Sequence, residues 1–198
     1  MGFPKALLPL GADTFLTRIL GVLKKIGLPA PVVVFGKAAE RIRPHIRGWQ
    51  ADVRINSDPD RGQLSSIQLA LSHVPVEADA CLIWPVDQPA VSEGLVRELT
   101  RLFISSESLI ACPVYGGKRG HPAIFHRALF REFMDAPMDE GPKQILLRHR
   151  RVTALLSTRE SAVVLDIDTP AEYESLTGES LSSALASRGI RRNSKRGL

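Results

Sequence analysis

The stretch Leu82-Ile83-Trp84-Pro85-Val86-Asp87-Gln88-Pro89-Ala90-Val91 is an apolar run that ends abruptly in a carboxylate. Pro89 has no backbone N–H to donate, so a strand cannot continue past Asp87. The pattern predicts an acid at the C-terminal end of a buried strand, which is the edge where open α/β sheets bind ligands. Asp87 is therefore the first candidate to contact a substrate or a metal ion. The alternative is that Asp87 only opens a turn before a helix that starts near Ser92.

Helix and strand patterns alternate along the rest of the chain. Apolar residues recur at helical spacing over residues 14–26, and Gly27 follows them. The β-branched run 31–35 predicts a strand buried on both faces. Further helices are predicted over 37–46, 65–73 and 92–103, and further strands over 52–56, 80–86, 109–114 and 162–166. Such alternation indicates an α/β fold in three layers, with a mainly parallel sheet.

Length and composition favour one globular domain. The chain has 198 residues, of which 44% are hydrophobic and 24% charged, enough to bury a sizeable core. No apolar run is long enough to span a bilayer and the start lacks a signal-peptide pattern, so we expect a cytoplasmic protein without a membrane partner. Cys81 and Cys112 have no second Cys or His at metal-ligand spacing, which predicts buried, reduced thiols.

The net charge of +5 is concentrated at the C-terminal end. We expect a globular domain over residues 1–177 and a basic, disordered tail over 178–198, because the apolar periodicity stops after Ile190. The basic residues between Arg188 and the end are not interleaved with aromatic side chains that could stack on bases. Nucleic acid is therefore not an expected partner.

Three polar loops follow predicted strands. The loop Arg61-Gly62-Gln63-Leu64-Ser65-Ser66 leads into a helix whose free N–H groups could bind a phosphate or a base, although Ser65 could be no more than an N-cap. In Gly116-Gly117-Lys118-Arg119-Gly120-His121-Pro122, glycines allow close backbone approach and the basic groups suit an anion, but a simple hairpin turn would look the same. Asp166 and Asp168 point to opposite faces of an extended chain, so only one can join Asp87.

Five motifs occur in an order that resembles the nucleotidyltransferases with a MobA-like fold. The match runs from residue 1 to about residue 176 and is most similar to the molybdenum-cofactor cytidylyltransferases. The motifs are Met1-Gly2-Phe3-Pro4-Lys5-Ala6-Leu7-Leu8-Pro9-Leu10, residues 56–66, Val86-Asp87-Gln88-Pro89, Gly120-His121-Pro122 and Asp166-Ile167-Asp168-Thr169-Pro170. The resemblance implies a three-layer Rossmann-like fold and the Mg²⁺-dependent transfer of a nucleoside monophosphate from an NTP, in the first place CTP, to a phosphorylated acceptor such as molybdopterin. Pyrophosphate is the second product.

The resemblance also implies roles for single residues. Lys5 would neutralise the triphosphate, while Asp87 and Asp168 would hold Mg²⁺, since two carboxylates plus substrate phosphates suit this ion. Lys5 and Asp87 are thus the catalytic candidates, and both would also contact the nucleotide. Gly62, Ser65 and Ser66 would lie against the base and ribose. The acceptor would bind at a set of loop residues: Arg119, Gly120, His121, Pro122, Asp139 and Gly141.

One family element has no match in this chain. The family carries a strand and a loop of the form Leu-Ala-Ala-Gly-x-Ser-x-Arg just before the Gly-x-Pro-Lys motif, and the strand would be a central one in the sheet. We expect the DNA before the Met1 codon to encode it in frame; the alternative is a shortened relative. Two other functions stay open: a same-fold transferase that uses GTP or a sugar or polyol phosphate, and an inactive domain that binds pterin or a partner molybdoenzyme.

Overall fold

The structure is a computed structural model that describes residues 2–138 and 142–188. Its strands are β1 (Pro9–Leu10), β2 (Asp13–Thr14), β3 (Val32–Phe35), β4 (Asp52–Ile55), β5 (Ala80–Ile83), β6 (Ile110–Tyr115), β7 (Lys118–Arg119), β8 (Ala123–His126) and β9 (Thr153–Ser157). Its α-helices are α1 (Phe15–Lys25), α2 (Ala39–Ile42), α3 (Gln63–Leu71), α4 (Glu93–Ser105), α5 (Phe130–Asp135), α6 (Pro142–Arg148), α7 (Pro170–Thr177) and α8 (Leu181–Ser187).

The main strands are mainly parallel, as predicted. β3 and β4 pair in parallel, and β6 pairs in parallel with β9. β8 lies between β5 and β6 and is antiparallel to both, so β5, β6 and β9 share one direction. The helix α3 connects β4 to β5. The short β7 adds a second antiparallel strand to β6.

Helices cover both faces of the five-stranded sheet, which confirms the three layers. Ile110, Cys112 and Phe125 pack on one face against α3, α5 and α6. The intervening residues Ala111 and Ile124 pack on the other face against Leu99 of α4 and its neighbours. This alternation follows from the period of two along a strand. Each strand therefore contributes to two separate parts of the core.

The hydrogen-bonded sheet is divided between β3 and β5. In the part of the chain that the structure describes, β3 pairs only with β4, and β5 pairs only with β8. Two helices pack across the division: α1 places Leu16 and Leu20 in the cluster that contains Phe35, and α3 contacts β3 while burying Leu64 against the other sheet. β1 and β2 form a separate short antiparallel hairpin.

The first long helix forms as its sequence predicts. α1 buries the apolar stripe that includes Phe15, Leu16 and Leu20, and Gly27 adopts a φ of 77° directly after it. Thr14 accepts a hydrogen bond from the Thr17 backbone, and the Thr17 side chain accepts one from the Thr14 backbone. This reciprocal cap fixes where α1 begins.

The structure corrects three sequence-based expectations. Residues 162–166 are not a strand, because a 3-10 helix spans Ser161–Val164 and β9 occupies the edge of β6. The strand before Asp87 ends at Ile83, since Pro85 cannot donate to a ladder. Residues 181–187 of the expected disordered tail form α8, which buries Leu181 and Leu185 in the core. Residues 189–198 lie outside the described part of the chain.

Two remaining expectations concern thiols and membranes. Cys81 and Cys112 are free thiols. Burial raises the pKa of Cys81 to about 12 and that of Cys112 to about 11, so both are protonated at neutral pH. Within residues 2–138 and 142–188, no helix has the length and apolar character needed to cross a bilayer.

Candidate active site

Lys5 joins two carboxylates from distant parts of the sequence. Its Nζ donates to Asp87 Oδ2 at 3.1 Å and also to Asp168 Oδ1. The side chains of Lys5 and Asp87 are 30% and 27% exposed, so the cluster is partly shielded from solvent yet open to a ligand. Burial alone would lower the pKa of Lys5, but the hydrogen bonds with Asp168 and Asp87 outweigh it and raise that pKa above its ordinary value. Lys5 is therefore a firmly held positive charge.

Backbone contacts fix the two carboxylates relative to each other. Asp87 lies in the turn after β5, and its carbonyl accepts a hydrogen bond from the backbone N–H of Ile167 at 2.9 Å. Ile167 is only 1% exposed, which anchors the chain directly before Asp168. The next residue, Thr169, caps α7 through a reciprocal capping box with Glu172. Because the residues on both sides of Asp168 are held, its backbone has little freedom to move, and this limits where the carboxylate can lie.

The segment before Lys5 bridges the ends of the two sheets. Phe3 is 7% exposed, and the Arg41 guanidinium lies 5.0 Å from the centre of its ring. Arg41 belongs to α2, which follows β3, whereas Asp87 follows β5. The N-terminal segment thus contacts the chain beyond both strands at one edge of the fold. This is the edge at which the sequence analysis placed the site.

Asp166 and Asp168 separate as the alternation of an extended chain predicts. Asp168 contacts Lys5, whereas Asp166 Oδ1 accepts a 2.7 Å hydrogen bond from the side-chain amide of Gln88. Gln88 is 4% exposed, and its backbone carbonyl accepts a hydrogen bond from the Trp84 indole at 2.9 Å. No role for Gln88 was predicted from the sequence. The one feature that could have pointed to it is its position as a polar residue between the candidate Asp87 and Pro89.

His121 lies within electrostatic range of Asp87 and Asp166. Its backbone N–H donates to Val163 O at 2.8 Å, which ties the loop after β7 to the segment that leads into Asp166. Burial lowers the pKa of His121, although a hydrogen bond to the Ile83 backbone and the charges of Asp166 and Asp87 oppose this effect. The ring is therefore neutral at pH 7.

The other residues that were predicted to bind the acceptor substrate lie in several different places. A Cβ on Gly120 would lie 2.0 Å from Val163 O, so the residue allows close backbone packing. Pro122 is buried next to His121. Arg119 instead donates to the carbonyl of Leu146 at 3.5 Å, on α6. Asp139 and Gly141 lie outside the described residues.

The predicted nucleotide loop forms a second cluster, at the start of α3. Gly62 has a φ of 91° and is the N-cap, so α3 begins before Ser65 and Ser65 is not its cap. Ser65 Oγ donates to Gly62 O at 2.8 Å, and the Asn56 amide donates to Ser65 Oγ at 2.8 Å and to Ser66 Oγ at 3.0 Å. Asn56, which follows β4, had no predicted role and holds both hydroxyls.

A surface pocket of about 310 Å³ lies beside these hydroxyls. Its lining includes Asn56, Asp58, Arg61 and Ser65, together with apolar atoms of Met134. Among the described residues, no hydrogen bond or ion pair connects this cluster to Lys5, Asp87 or Asp168. The structure therefore contains two polar clusters at the strand ends rather than one continuous network.

The donor set at Lys5 fits a divalent ion that takes part of its ligands from a substrate. In the described part of the chain, no three Asp, Glu, His or Cys side chains form a ready metal site. Asp87 and Asp168 nevertheless both contact the ammonium group of Lys5. Asp87 Oδ1 is buried without a hydrogen-bond partner. Two carboxylates completed by phosphate oxygens and water are typical of Mg²⁺ sites.

Comparison with protein families identifies the fold and the type of chemistry. The family model described as the MobA-like NTP transferase domain matches residues 1–152. The chain belongs to this family. The matched residues include Lys5, Asp87 and His121 but end before Asp168. A search of curated proteins found no match.

Solved structures of similar proteins support the same assignment. Rv0371c of Mycobacterium tuberculosis is 27% identical, with a TM-score of 0.81 over 90% of this chain and 92% of that one. A further structure of Rv0371c is a manganese complex. A nucleotidyl transferase from Methanothermobacter is 18% identical, with a TM-score of 0.73 over 92% and 86% of the chains. A CMP:2-keto-3-deoxy-manno-octonic acid synthetase with bound CTP is 13% identical, with a TM-score of 0.66 over 94% and 92%. The last two show similarity of fold alone.

Proposed function

We propose that this chain transfers CMP from CTP to the terminal phosphate of molybdopterin and releases pyrophosphate. The observation that carries the proposal is the contact of Lys5 with both Asp87 and Asp168. A positive side chain and two carboxylates at one strand edge match the needs of phosphoryl chemistry, which are alignment and charge neutralisation. The CTP complex of the synthetase and the manganese complex of Rv0371c support the nucleotide and a divalent ion by analogy.

The reaction exchanges one phosphoanhydride bond for another. An oxygen of the acceptor phosphate attacks the α-phosphorus of CTP, and the bond from that phosphorus to the bridging oxygen of the β-phosphate breaks. Pyrophosphate leaves with the electron pair of that bond. Lys5 would neutralise the triphosphate, because its pKa lies above the ordinary value and it keeps its proton.

Asp87 and Asp168 are the residues that would hold Mg²⁺. When bound, the ion supplies charge neutralisation and Lewis acidity to the phosphates. The protein contributes fixed positions for the two carboxylates, through the hydrogen bond from Ile167 to Asp87 and through the cap at Thr169. We place the acceptor on the other side of Asp87, next to His121, and the base at Gly62, Ser65 and Ser66.

The experiment is an assay of pyrophosphate release with Mg²⁺, each of the four common NTPs and, as the acceptor, either molybdopterin or a sugar or polyol phosphate. We expect turnover with CTP, and we expect Asp87→Asn and Asp168→Asn to lower kcat/KM by about a hundredfold or more, as loss of a charge that contacts the transition state does. The matched control is Asp135→Asn on α5, which removes an exposed carboxylate from an ion pair with Arg131. This variant should keep wild-type activity.

Three outcomes would contradict the proposal. Turnover with another NTP but not with CTP would show that the base assignment is wrong. Turnover only with a sugar or polyol phosphate would show that the acceptor assignment is wrong. Full activity of Asp87→Asn, with a thermal unfolding curve like that of the wild type, would remove the role given to the Lys5 cluster.

A further inference from the structure

Three buried hydrogen-bond acceptors next to the proposed reaction centre have no partner. They are Asp87 Oδ1, Gln88 Oε1 and His121 Nδ1. Gln88 is 4% exposed, so its free oxygen is shielded from bulk solvent. A buried acceptor without a donor costs roughly 1–3 kcal/mol. A fold accepts such a cost most readily where a ligand supplies the missing donor.

Gln88 and Asp166 present two acceptors side by side. The Gln88 amide nitrogen donates to Asp166 Oδ1 at 2.7 Å, and the oxygen of the same amide is about 2.3 Å from that nitrogen, given the standard amide bond lengths. The free Oε1 of Gln88 therefore lies within about 5 Å of Asp166 Oδ1. Asp166 itself is exposed, so its carboxylate can be reached from solvent.

His121 adds a third acceptor. Burial lowers the pKa of His121, so the ring is neutral at pH 7. Its Nδ1 is buried without a hydrogen-bond partner. In a neutral ring with the proton on Nε2, Nδ1 is an acceptor. The charges of Asp166 and Asp87 both act on this ring, so both carboxylates lie within electrostatic range of it.

A group of acceptors selects a ligand that carries donors. Adjacent N–H groups on a planar ring, as in a 2-amino-4-oxo heterocycle, pair with a carboxylate through two parallel hydrogen bonds. A ring with a carbonyl in place of the amino group would face the carboxylate with another acceptor and be rejected. Pterins and guanine both carry this amino-lactam edge.

We propose that Asp166, Gln88 and His121 bind the amino-lactam edge of a pterin ring in the acceptor. This inference rests on the proposed function for the identity of the acceptor. It assigns Asp166 to recognition of the ring and Asp168 to the phosphates. Asp166 contacts Gln88 and Asp168 contacts Lys5. Because the two acids are separated in this way, one can bind the ring while the other binds the phosphates.

The test is equilibrium binding of small heterocycles to the whole protein, without nucleotide or metal. The probes are pterin, lumazine, which has a 2-oxo group in place of the 2-amino group, and GMP, each followed by fluorescence or calorimetry. We expect pterin to bind at least about tenfold more tightly than lumazine, and Asp166→Asn to weaken pterin binding at least about tenfold, as loss of one charged hydrogen bond does. Asp135→Asn, an exposed acid on α5, should bind pterin like the wild type.

Three other results would overturn the inference. Equal binding of pterin and lumazine would show that the amino group is not recognised. Wild-type pterin binding by Asp166→Asn would remove Asp166 from the site, and since this residue is exposed, the variant is expected to fold. Binding of GMP without binding of pterin would assign the edge to a guanine nucleotide. Pterin binding without pyrophosphate release would contradict the proposed transfer reaction and leave this binding site intact.

Discussion

Replacement of Gly120 by Ala should destabilise the fold around the candidate site. The added Cβ would lie 2.0 Å from Val163 O and 2.6 Å from Val163 C, which are backbone atoms and cannot rotate away. Overpacking of this kind costs about 1–3 kcal/mol, and loss of the adjacent hydrogen bond from His121 N to Val163 O adds about 0.5–1.5 kcal/mol. The expected loss is therefore roughly 2–4 kcal/mol. For a protein of this length, that lowers the melting temperature by roughly 5–15 °C.

Thermal unfolding followed by circular dichroism measures this effect, and Gly94→Ala is the matched control. Gly94 lies in α4, and a Cβ there would meet only Ser92 Oγ, at an ordinary 3.8 Å. Since Ala is favoured over Gly in a helix by about 0.8–1 kcal/mol, this variant should melt at the wild-type temperature or slightly above it. A Gly120→Ala protein that melts with the wild type would refute the reasoning, as would an equal fall in both variants.

Two further predictions concern buried contacts away from the reaction centre. Tyr173 is fully buried and its hydroxyl donates to Pro9 O at 2.9 Å, so Tyr173→Phe should lower the free energy of unfolding in urea by about 1–3 kcal/mol; an unchanged urea midpoint would contradict this. Burial raises the pKa of Glu132, but hydrogen bonds with His149 and Arg148 outweigh it and hold that pKa below its ordinary value. The carboxylate therefore contributes stability above the ordinary pKa that is lost as pH falls through the folded-state value, and Glu132→Gln should lose less stability between pH 6 and pH 3 than the wild type does.

The sequence predicted long, regular elements well. The apolar stripe of α1, with Gly27 after it, gave a helix within one residue of the observed Phe15–Lys25 at each end. The β-branched run at β3 was equally clear. These elements are specified by local periodicity and by caps, both of which are visible in a short window of sequence.

Short elements that depend on distant partners were missed. β8 and β9 have four and five residues and were not predicted, and each exists because it pairs with β6. The run 162–166 has strand-like composition, but β9 already fills the edge that it would need. Pairing between segments far apart in sequence decides such cases, and no local pattern records it.

The candidate site was predicted in part. The strand-end position of Asp87 and the alternation of Asp166 and Asp168 follow from the geometry of extended chains, and the structure has both. The roles of Gln88 and Asn56 could not be predicted, because each depends on a hydrogen bond to a residue in another segment. The contact of Arg119 with α6 likewise depends on the packing of a distant helix.

The division of the sheet between β3 and β5 affects how the molecule opens. No backbone ladder crosses it within the described residues, so the unit of β3 and β4 is attached to the rest through side chains of helices such as α1 and α3. Segments that are joined only through side chains need less free energy to open locally than strands in a continuous hydrogen-bonded ladder. Their backbone amide protons therefore exchange with solvent faster. The unpaired edges also present free N–H and C=O groups to any extended chain nearby. The candidate site spans this boundary, because Phe3 contacts the chain after β3 and Lys5 contacts the chain after β5. Local opening at this boundary should therefore disturb the contact of Phe3 with Arg41 and, through it, the segment that carries Lys5.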